Sequence, residues 1–198
     1  AIILANGDSS HIGSPTALLK IGEKIFLQHL VEVLTSARVL DVAVVLGDDA
    51  DEIRKNLSWF SGKVVVNQFS RSGRMSSILA GMHALEEKDL HGVLICPIDQ
   101  PLVTQALLVG MLNQFWIKHR PVVVPVYKGR WGYPILIGKA LFPELEKAPA
   151  DSNVSAIFSG PRDIVLEYQT EDEGVVLSIN SQEDYQEMIV KSFSKNRV

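Results

Sequence analysis

The sequence predicts an α/β fold with a mainly parallel sheet and helices on both faces. Three observations carry this. Short apolar runs rich in Val, Ile and Leu alternate with amphipathic stretches along the chain, the pattern of right-handed βαβ crossovers. The runs are nearly continuous rather than alternating, as in strands covered on both faces. A Gly/Ser-rich connection at residues 6–14 follows the first run, and open α/β sheets bind ligands at such strand ends.

The elements follow in order. Ile2, Ile3, Leu4 and Ala5 form the first predicted strand. A helix lies within 17–37, with Phe26, Leu27, Leu30, Val31, Val33 and Leu34 at helical spacing. Residues 42–46 read as a β-branched strand. Residues 49–60 read as a helix with Asp at its start, where acids favour the positive dipole end. A strand at 64–66 precedes a helix at 76–85, which places Ile78, Leu79, Met82 and Leu85 on one side. A strand at 93–96 leads to a helix at 101–116, which Pro101 can open without losing a needed donor. Residues 122–124 form the next strand. The last third is less regular: strands are expected at 135–137, 164–166 and 175–179, and helices at 139–146, 153–158 and 182–191. With no repeat or linker, residues 1–198 are expected to form one domain.

Composition narrows the function. Hydrophobic residues make up 46% and charged residues 21%, with a formal net charge of -4. That mild acidity gives no footprint for a nucleic-acid partner. A single cysteine, Cys96, rules out an intrachain disulfide or a thiolate cluster and fits a reducing, cytoplasmic setting. Cys96 reads as a core residue. The apolar runs are too short to span a bilayer, and the opening strand has no charged leader region, so neither a membrane segment nor a signal peptide is expected. His29, His83, His91 and His119 lack metal-ligand spacing and read as structural or exposed.

The chemistry-bearing segment is 4–15, Leu-Ala-Asn-Gly-Asp-Ser-Ser-His-Ile-Gly-Ser-Pro. Its glycines would let backbone N–H groups approach phosphate oxygens, although it is neither a Walker A loop nor a dinucleotide fingerprint. On spacing alone, a plain flexible connection is equally good. The segment resembles the signature L-A-[AG]-G-x-S-x-R-M-G-x-P-K-x-L-L of the MobA-like nucleotidyltransferases, matched by Leu4, Ala5, Gly7, Ser9, Gly13, Pro15, Leu18 and Leu19. Four further blocks follow in family order. Asn67, Gly73, Ser76, Ser77 and Gly81 resemble one; Asp99, Gln100, Pro101, Leu102 and Val103 resemble the D-Q-P-L-V block. Gly132, Tyr133 and Pro134 resemble G-H-P, and residues 181–185 resemble T-P-E-D-Y. The D-Q-P-L-V and G-H-P blocks resemble the branch that attaches cytidylate to molybdopterin, with the guanylyl-transferring branch second.

The resemblance implies a Rossmann-like three-layer fold of the nucleotide-diphospho-sugar-transferase type. It also implies reaction of an NTP, CTP favoured over GTP, with a molybdopterin-like phosphate and release of pyrophosphate. Leu4, Ala5, Asn6, Gly7, Ser9, Gly13, Asn67, Ser76, Ser77 and Gly81 would bind the nucleotide. Asp99 and Asn180 would hold Mg²⁺. Asp99, His11, Thr16 and Lys20 would act in catalysis, and Gly132, Tyr133 and Pro134 would meet the second substrate. A molybdoenzyme or maturation protein would be the partner. The reading requires the glycine loop and Asp99 to share a cleft.

The chain departs from the family at three charged positions. His11 stands for an arginine, Thr16 for a lysine and Asn180 for an aspartate. Arg and Lys neutralise phosphate permanently, whereas Thr and neutral His do not. Asn offers a metal one neutral oxygen in place of a charge. One such loss costs ~10²–10³ in rate, so weak or absent turnover is expected unless Lys20, Arg71, Arg74 or Arg130 compensates. Lys20 would share a helical face with Thr16, and each of the four also reads as a plain surface cation. Asp99 could instead cap the helix near Pro101, and Ser76 and Ser77 could cap theirs. Two functions stay open: a nucleotidyltransferase (guanylyl or sugar-phosphate transfer being further options), and a non-catalytic nucleotide- or pterin-binding accessory protein.

Overall fold

The computed structural model describes residues 1–6, 12–86, 88–158 and 163–195. The chain opens with β1 (Ile2–Ala5), then a hairpin of β2 (Lys20–Ile21) and β3 (Lys24–Ile25) and helix α1 (Phe26–Ser36). Next come β4 (Ala43–Leu46), α2 (Ala50–Lys55), β5 (Lys63–Val66), α3 (Arg74–Ala84), β6 (Gly92–Pro97) and α4 (Gln105–Lys118). The last part holds β7 (Val122–Tyr127), β8 (Arg130–Trp131), β9 (Ile135–Gly138), α5 (Phe142–Lys147), α6 (Val154–Ile157), β10 (Val165–Gln169) and α7 (Gln182–Lys195).

The main sheet runs β10-β7-β9-β6-β1-β4-β5, with β8 attached to β7. The pairs β6–β1, β1–β4, β4–β5 and β10–β7 are parallel, and β9 runs against both of its neighbours. This is the mostly parallel, three-layer arrangement the alternation predicts. Successive strand residues feed opposite layers. Ile3, Val44, Leu94 and Cys96 pack with α1 and α4 through Phe26, Leu30, Leu107 and Met111. Ile2, Val45, Val93 and Ile95 pack with α3 and α5 through Met75, Ile78, Met82 and Leu145. Continuous apolar strands are therefore required, since both faces are dry.

From β1 the chain steps outward to β4 and β5, then returns to β6 on the other side of β1. The strand order reverses between β1 and β6, where an α/β sheet leaves a crevice at its carboxyl edge.

Several expected boundaries are corrected. The helix expected within 17–37 is α1, and a 3₁₀ turn at Thr16–Leu18 and the hairpin fill the residues before it, with Gly22 turning the hairpin at φ +62°. The helix expected from Pro101 starts at Gln105, because Thr104 caps it by accepting the Leu107 N–H at 3.3 Å. Asp99 is thus no cap for it. Helix α3 starts at Arg74, so Ser76 and Ser77 lie inside its first turns and Gly73 takes the cap position. The strand expected at 175–179 is absent. A 3₁₀ turn at Glu173–Val175 replaces it, held by Asp172 Oδ1 accepting the Gly174 N–H at 3.0 Å.

Candidate functional site

A cleft of about 320 Å³ lies at the β1/β6 reversal. Leu4 and Asn6 line it from the end of β1, and Pro97, Ile98 and Asp99 from the end of β6. The Ile98 N–H donates to the Leu4 carbonyl at 3.1 Å, extending the parallel pairing to the rim. Ile179 and Asn180 form a third wall. The Ile179 N–H donates to the Asp99 carbonyl at 2.8 Å, which brings the Asn180 segment beside Asp99. Thr16, Ser70, Arg71, Gly73 and Arg74 complete the lining.

Local chemistry explains each wall. The Asn180 segment is fixed by a reciprocal cap at the start of α7. Asp184 Oδ2 accepts the N–H groups of Asn180 and Ser181, each at 2.9 Å, and Ser181 Oγ accepts the Asp184 N–H at 3.1 Å. The Asn180 N–H, then the Ser181 groups, hold the Asp184 carboxyl below its ordinary pKa. Behind Asp99, Gln100 Nε2 donates to Ser178 Oγ at 2.9 Å, while its Oε1 is buried with no partner among the described residues. The α3 wall starts at Gly73, whose φ of +126° only glycine adopts readily. Gly73 has no side chain to cap α3, and the first N–H groups of a helix can meet solvent or a ligand.

Two arginines flank Gly73, Arg71 in the 3₁₀ turn before it and Arg74 at the start of α3. Arg71 Nε and Nη2 donate to Asp48 Oδ2 at 2.9 and 2.6 Å. Arg74 Nη1 donates to Tyr133 Oη at 3.1 Å, with the guanidinium 5.5 Å from the Tyr133 ring centre. Beneath them runs a polar network. Asn67 Nδ2 reaches Ser76 Oγ and Ser77 Oγ, both at 2.9 Å, and Asn67 Oδ1 accepts the Phe69 N–H at 2.9 Å.

The structure thus gathers Leu4, Asn6, Thr16, Asp99 and Asn180 around one cleft, with Arg71 and Arg74. Gly7, Ser9 and His11 lie outside the described residues, so the link between glycine loop and Asp99 rests on Asn6. Ala5 is buried beside Leu46 and does not line the cleft. Gly13 is exposed, with φ +80° and open space around it, and is also outside the lining. Asn67, Ser76 and Ser77 form the network behind the α3 wall. Gly81 is a packing residue: a Cβ there would meet Ile2 Cγ2 at 2.4 Å.

Lys20 is corrected. It is exposed on β2 and does not share a helical face with Thr16; its carbonyl accepts from Tyr185 Oη at 2.9 Å. Arg130 is exposed and outside the lining. Gly132, Tyr133 and Pro134 join β8 to β9 through a cis Tyr133–Pro134 bond, and the Arg74–Tyr133 contact ties that segment to α3. Trp131 donates to Glu167 Oε1 at 2.9 Å. Cys96 is buried, which pushes its thiol pKa up to about 12. Burial lowers the His29 pKa. Sequence reasoning missed the Gln100–Ser178 bond and the Asp48–Arg71 pair. Their partners lie 78 and 23 residues apart, beyond any periodic signal.

Comparison with known proteins gives concordant matches. The family model of the MobA-like NTP transferase domain matches residues 1–169. A probable molybdenum cofactor guanylyltransferase of Bacillus mycoides (strain KBAB4) is 30% identical over 129 residues, covering 65% of this chain and 62% of the relative. The chain therefore spans less than two thirds of that relative's length. Among solved structures, Rv0371c of Mycobacterium tuberculosis H37Rv superposes with a TM-score of 0.82 at 23% identity, covering 96% of each chain. The same protein in complex with manganese gives 0.78 at 22% identity, again covering 96% of each chain. At these identities the likeness speaks to fold.

Proposed function

The chain belongs to the MobA-like NTP transferase domain family, and on that premise we propose that it transfers a nucleotidyl group from a nucleoside triphosphate to a phosphate-bearing acceptor. In this reaction an acceptor phosphate oxygen bonds to the α-phosphorus, the bond to the α–β bridging oxygen breaks, and pyrophosphate leaves. One observation carries the reading: a cleft at the strand-order reversal joins Asp99 and Asn180 on one side to Arg71 and Arg74 on the other. Nucleotidyl transfer depends mostly on positioning and on neutralising charge. The arginines and the uncapped start of α3 would hold the phosphates. The Arg74–Tyr133 contact would align the β8–β9 segment with them.

Asp99 and Asn180 offer hard oxygen donors that fit a divalent cation, Mg²⁺ or Mn²⁺; among the described residues no cluster of three or more His, Cys, Asp or Glu offers another. When bound, such an ion would neutralise phosphate oxygens. Manganese is present in one structural neighbour, which supports this choice of ion class.

The curated relative is named a guanylyltransferase, so GTP comes before CTP as donor, and the expectation of CTP draws no support from that name. A molybdopterin-like phosphate is the acceptor to test first. We expect pyrophosphate release from GTP, Mg²⁺ and molybdopterin, reduced ~10²-fold or more in Asp99→Asn. Equal rates in the two proteins would sink the reading.

A second reading is favoured by Thr16, a neutral, buried side chain in the cleft, and by Asn180 in place of a carboxylate. It is a nucleotide or pterin binder without turnover. Tight nucleotide binding with no pyrophosphate release would select it.

A further inference from the structure

Asn6 is packed against Gly47, where an added Cβ would lie 2.9 Å from Asn6 Cβ. The two ends of its amide are nearly equal in size, so the contact with Ser77 does not by itself decide which end faces it. As placed, Asn6 Nδ2 donates to Ser77 Oγ at 2.9 Å. The polarity of that contact is decided further along the network. The Phe69 backbone N–H can only donate, so the group it meets at 2.9 Å is Asn67 Oδ1 and cannot be the amide nitrogen. Asn67 Nδ2 must then donate toward Ser76 and Ser77. Ser76 passes its own proton to the Gly73 carbonyl at 2.7 Å.

Ser77 differs. Its side chain is fully buried. If Asn67 and Asn6 both donated to it, its O–H would have no acceptor among the described residues, an orphan that folded proteins avoid. Half a turn of the Asn6 amide exchanges two atoms of nearly equal size. The Ser77 O–H then donates to Asn6 Oδ1 and every member of the network is satisfied.

We propose that Asn6 presents its N–H pair to the cleft and acts as a specificity residue for an acceptor oxygen on the ligand. That oxygen is a base carbonyl or a phosphate oxygen of a nucleotide. The identity of the ligand rests on the transferase reading; the orientation of the amide does not.

Two measurements on the full chain test this. The first is hydrogen exchange of the Asn6 side-chain amide by ¹⁵N NMR without ligand, its signal pair assigned by its loss in Asn6→Asp. Exchange near that of a free amide is expected. Strong protection of one proton, as a bond to buried Ser77 would give, overturns the orientation. The second is calorimetric titration with GTP, CTP and inorganic tripolyphosphate. Asn6→Ala should weaken binding about 5–10-fold, one hydrogen bond's worth. Asn6→Asp keeps the Ser77 contact but offers only oxygens, so it should not restore the loss.

A fall confined to the nucleotides assigns the oxygen to the base; a fall shared by tripolyphosphate assigns it to phosphate. Asn6→Asp at or above wild-type affinity overturns the proposal. So does failure of Asn6→Asp to fold, since it fills the same volume and accepts the same hydroxyl. If the wild type binds none of the three ligands, the transferase reading fails, and the exchange result still decides how the amide faces.

Discussion

Replacing Gly73 with alanine should be among the most damaging small changes at the cleft, for two separable reasons. Gly73 has φ +126° and ψ 165°, a region reached almost only by glycine, where another residue costs ~1–3 kcal/mol. A Cβ would also lie 2.3 Å from the Ala150 carbonyl oxygen and 2.6 Å from Asp151 Cα. Those are backbone atoms that cannot swing aside, and overpacking of this kind costs ~1–3 kcal/mol more. Some relaxation at the start of α3 is expected, so ~2–4 kcal/mol is the working value. For a chain of this size that lowers Tm by roughly 4–16 °C. Gly129→Ala is the control: its φ is +76° but nothing lies within 4 Å of the added carbon, so it suffers only the backbone penalty of ~1–2 kcal/mol. Urea unfolding of the two variants isolates the contact. A Gly73→Ala midpoint equal to that of Gly129→Ala would refute the argument and would mean that the 150–151 segment does not press on α3.

Two other outcomes follow from charge and burial. Asp184 is held below the ordinary carboxyl value of 3.8 in the folded chain, so its cap stabilises above that value and is lost as pH falls through the lowered folded pKa. The stability gap between wild type and Asp184→Asn, at most ~1 kcal/mol for so exposed a cap, should close on acidification below pH 3.8, and a gap that widens there would reverse the assignment. Cys96, with its thiol pushed up to about 12 by burial in the core, should resist thiol reagents at pH 8 until the chain unfolds; rapid labelling of the native protein would contradict its placement.

The layers were legible because both faces of the sheet are dry, which leaves continuous apolar runs such as 93–96 and 122–124. Boundaries were less so where a cap outweighs a helix-compatible residue. Pro101 suits a helix start, but the Thr104 hydroxyl satisfies an N–H and sets the start at Gln105. Asp99, Asn6 and Asn180 are named from the family resemblance, and the fold places all three on the lining of one cleft. Gly81 has a packing role that the sequence does not show. Its spacing fits a binding block, and α3 also approaches Ile2 there, a contact between residues far apart in the chain. The same holds for Lys20, whose helical face disappears once Gly22 turns the hairpin.

The missing charges at Thr16 and Asn180 shift the question to whether α3 can supply them. Arg71 is engaged by Asp48, but that pair is exposed, at 89% and 60%, and such pairs contribute only ~0–1 kcal/mol. The Arg74 contact over Tyr133 is similarly weak at an exposed site, ~0.5–1 kcal/mol. A triphosphate offers each guanidinium charge-assisted, bidentate hydrogen bonds that are roughly twice as strong as neutral ones. On the proposed reading, turning Arg74 toward a phosphate would cost less than the new contact returns, and α3 would offset the neutral Thr16. It cannot offset Asn180 in the same way. An arginine adds positive charge, whereas a divalent ion beside Asp99 would lose a negative ligand and be held less tightly for it. On the proposed transferase reading the sequence departures bear unequally on the two halves of the cleft: Arg74 would still offer charge to a phosphate, and the weak point would be the grip on a metal beside Asp99.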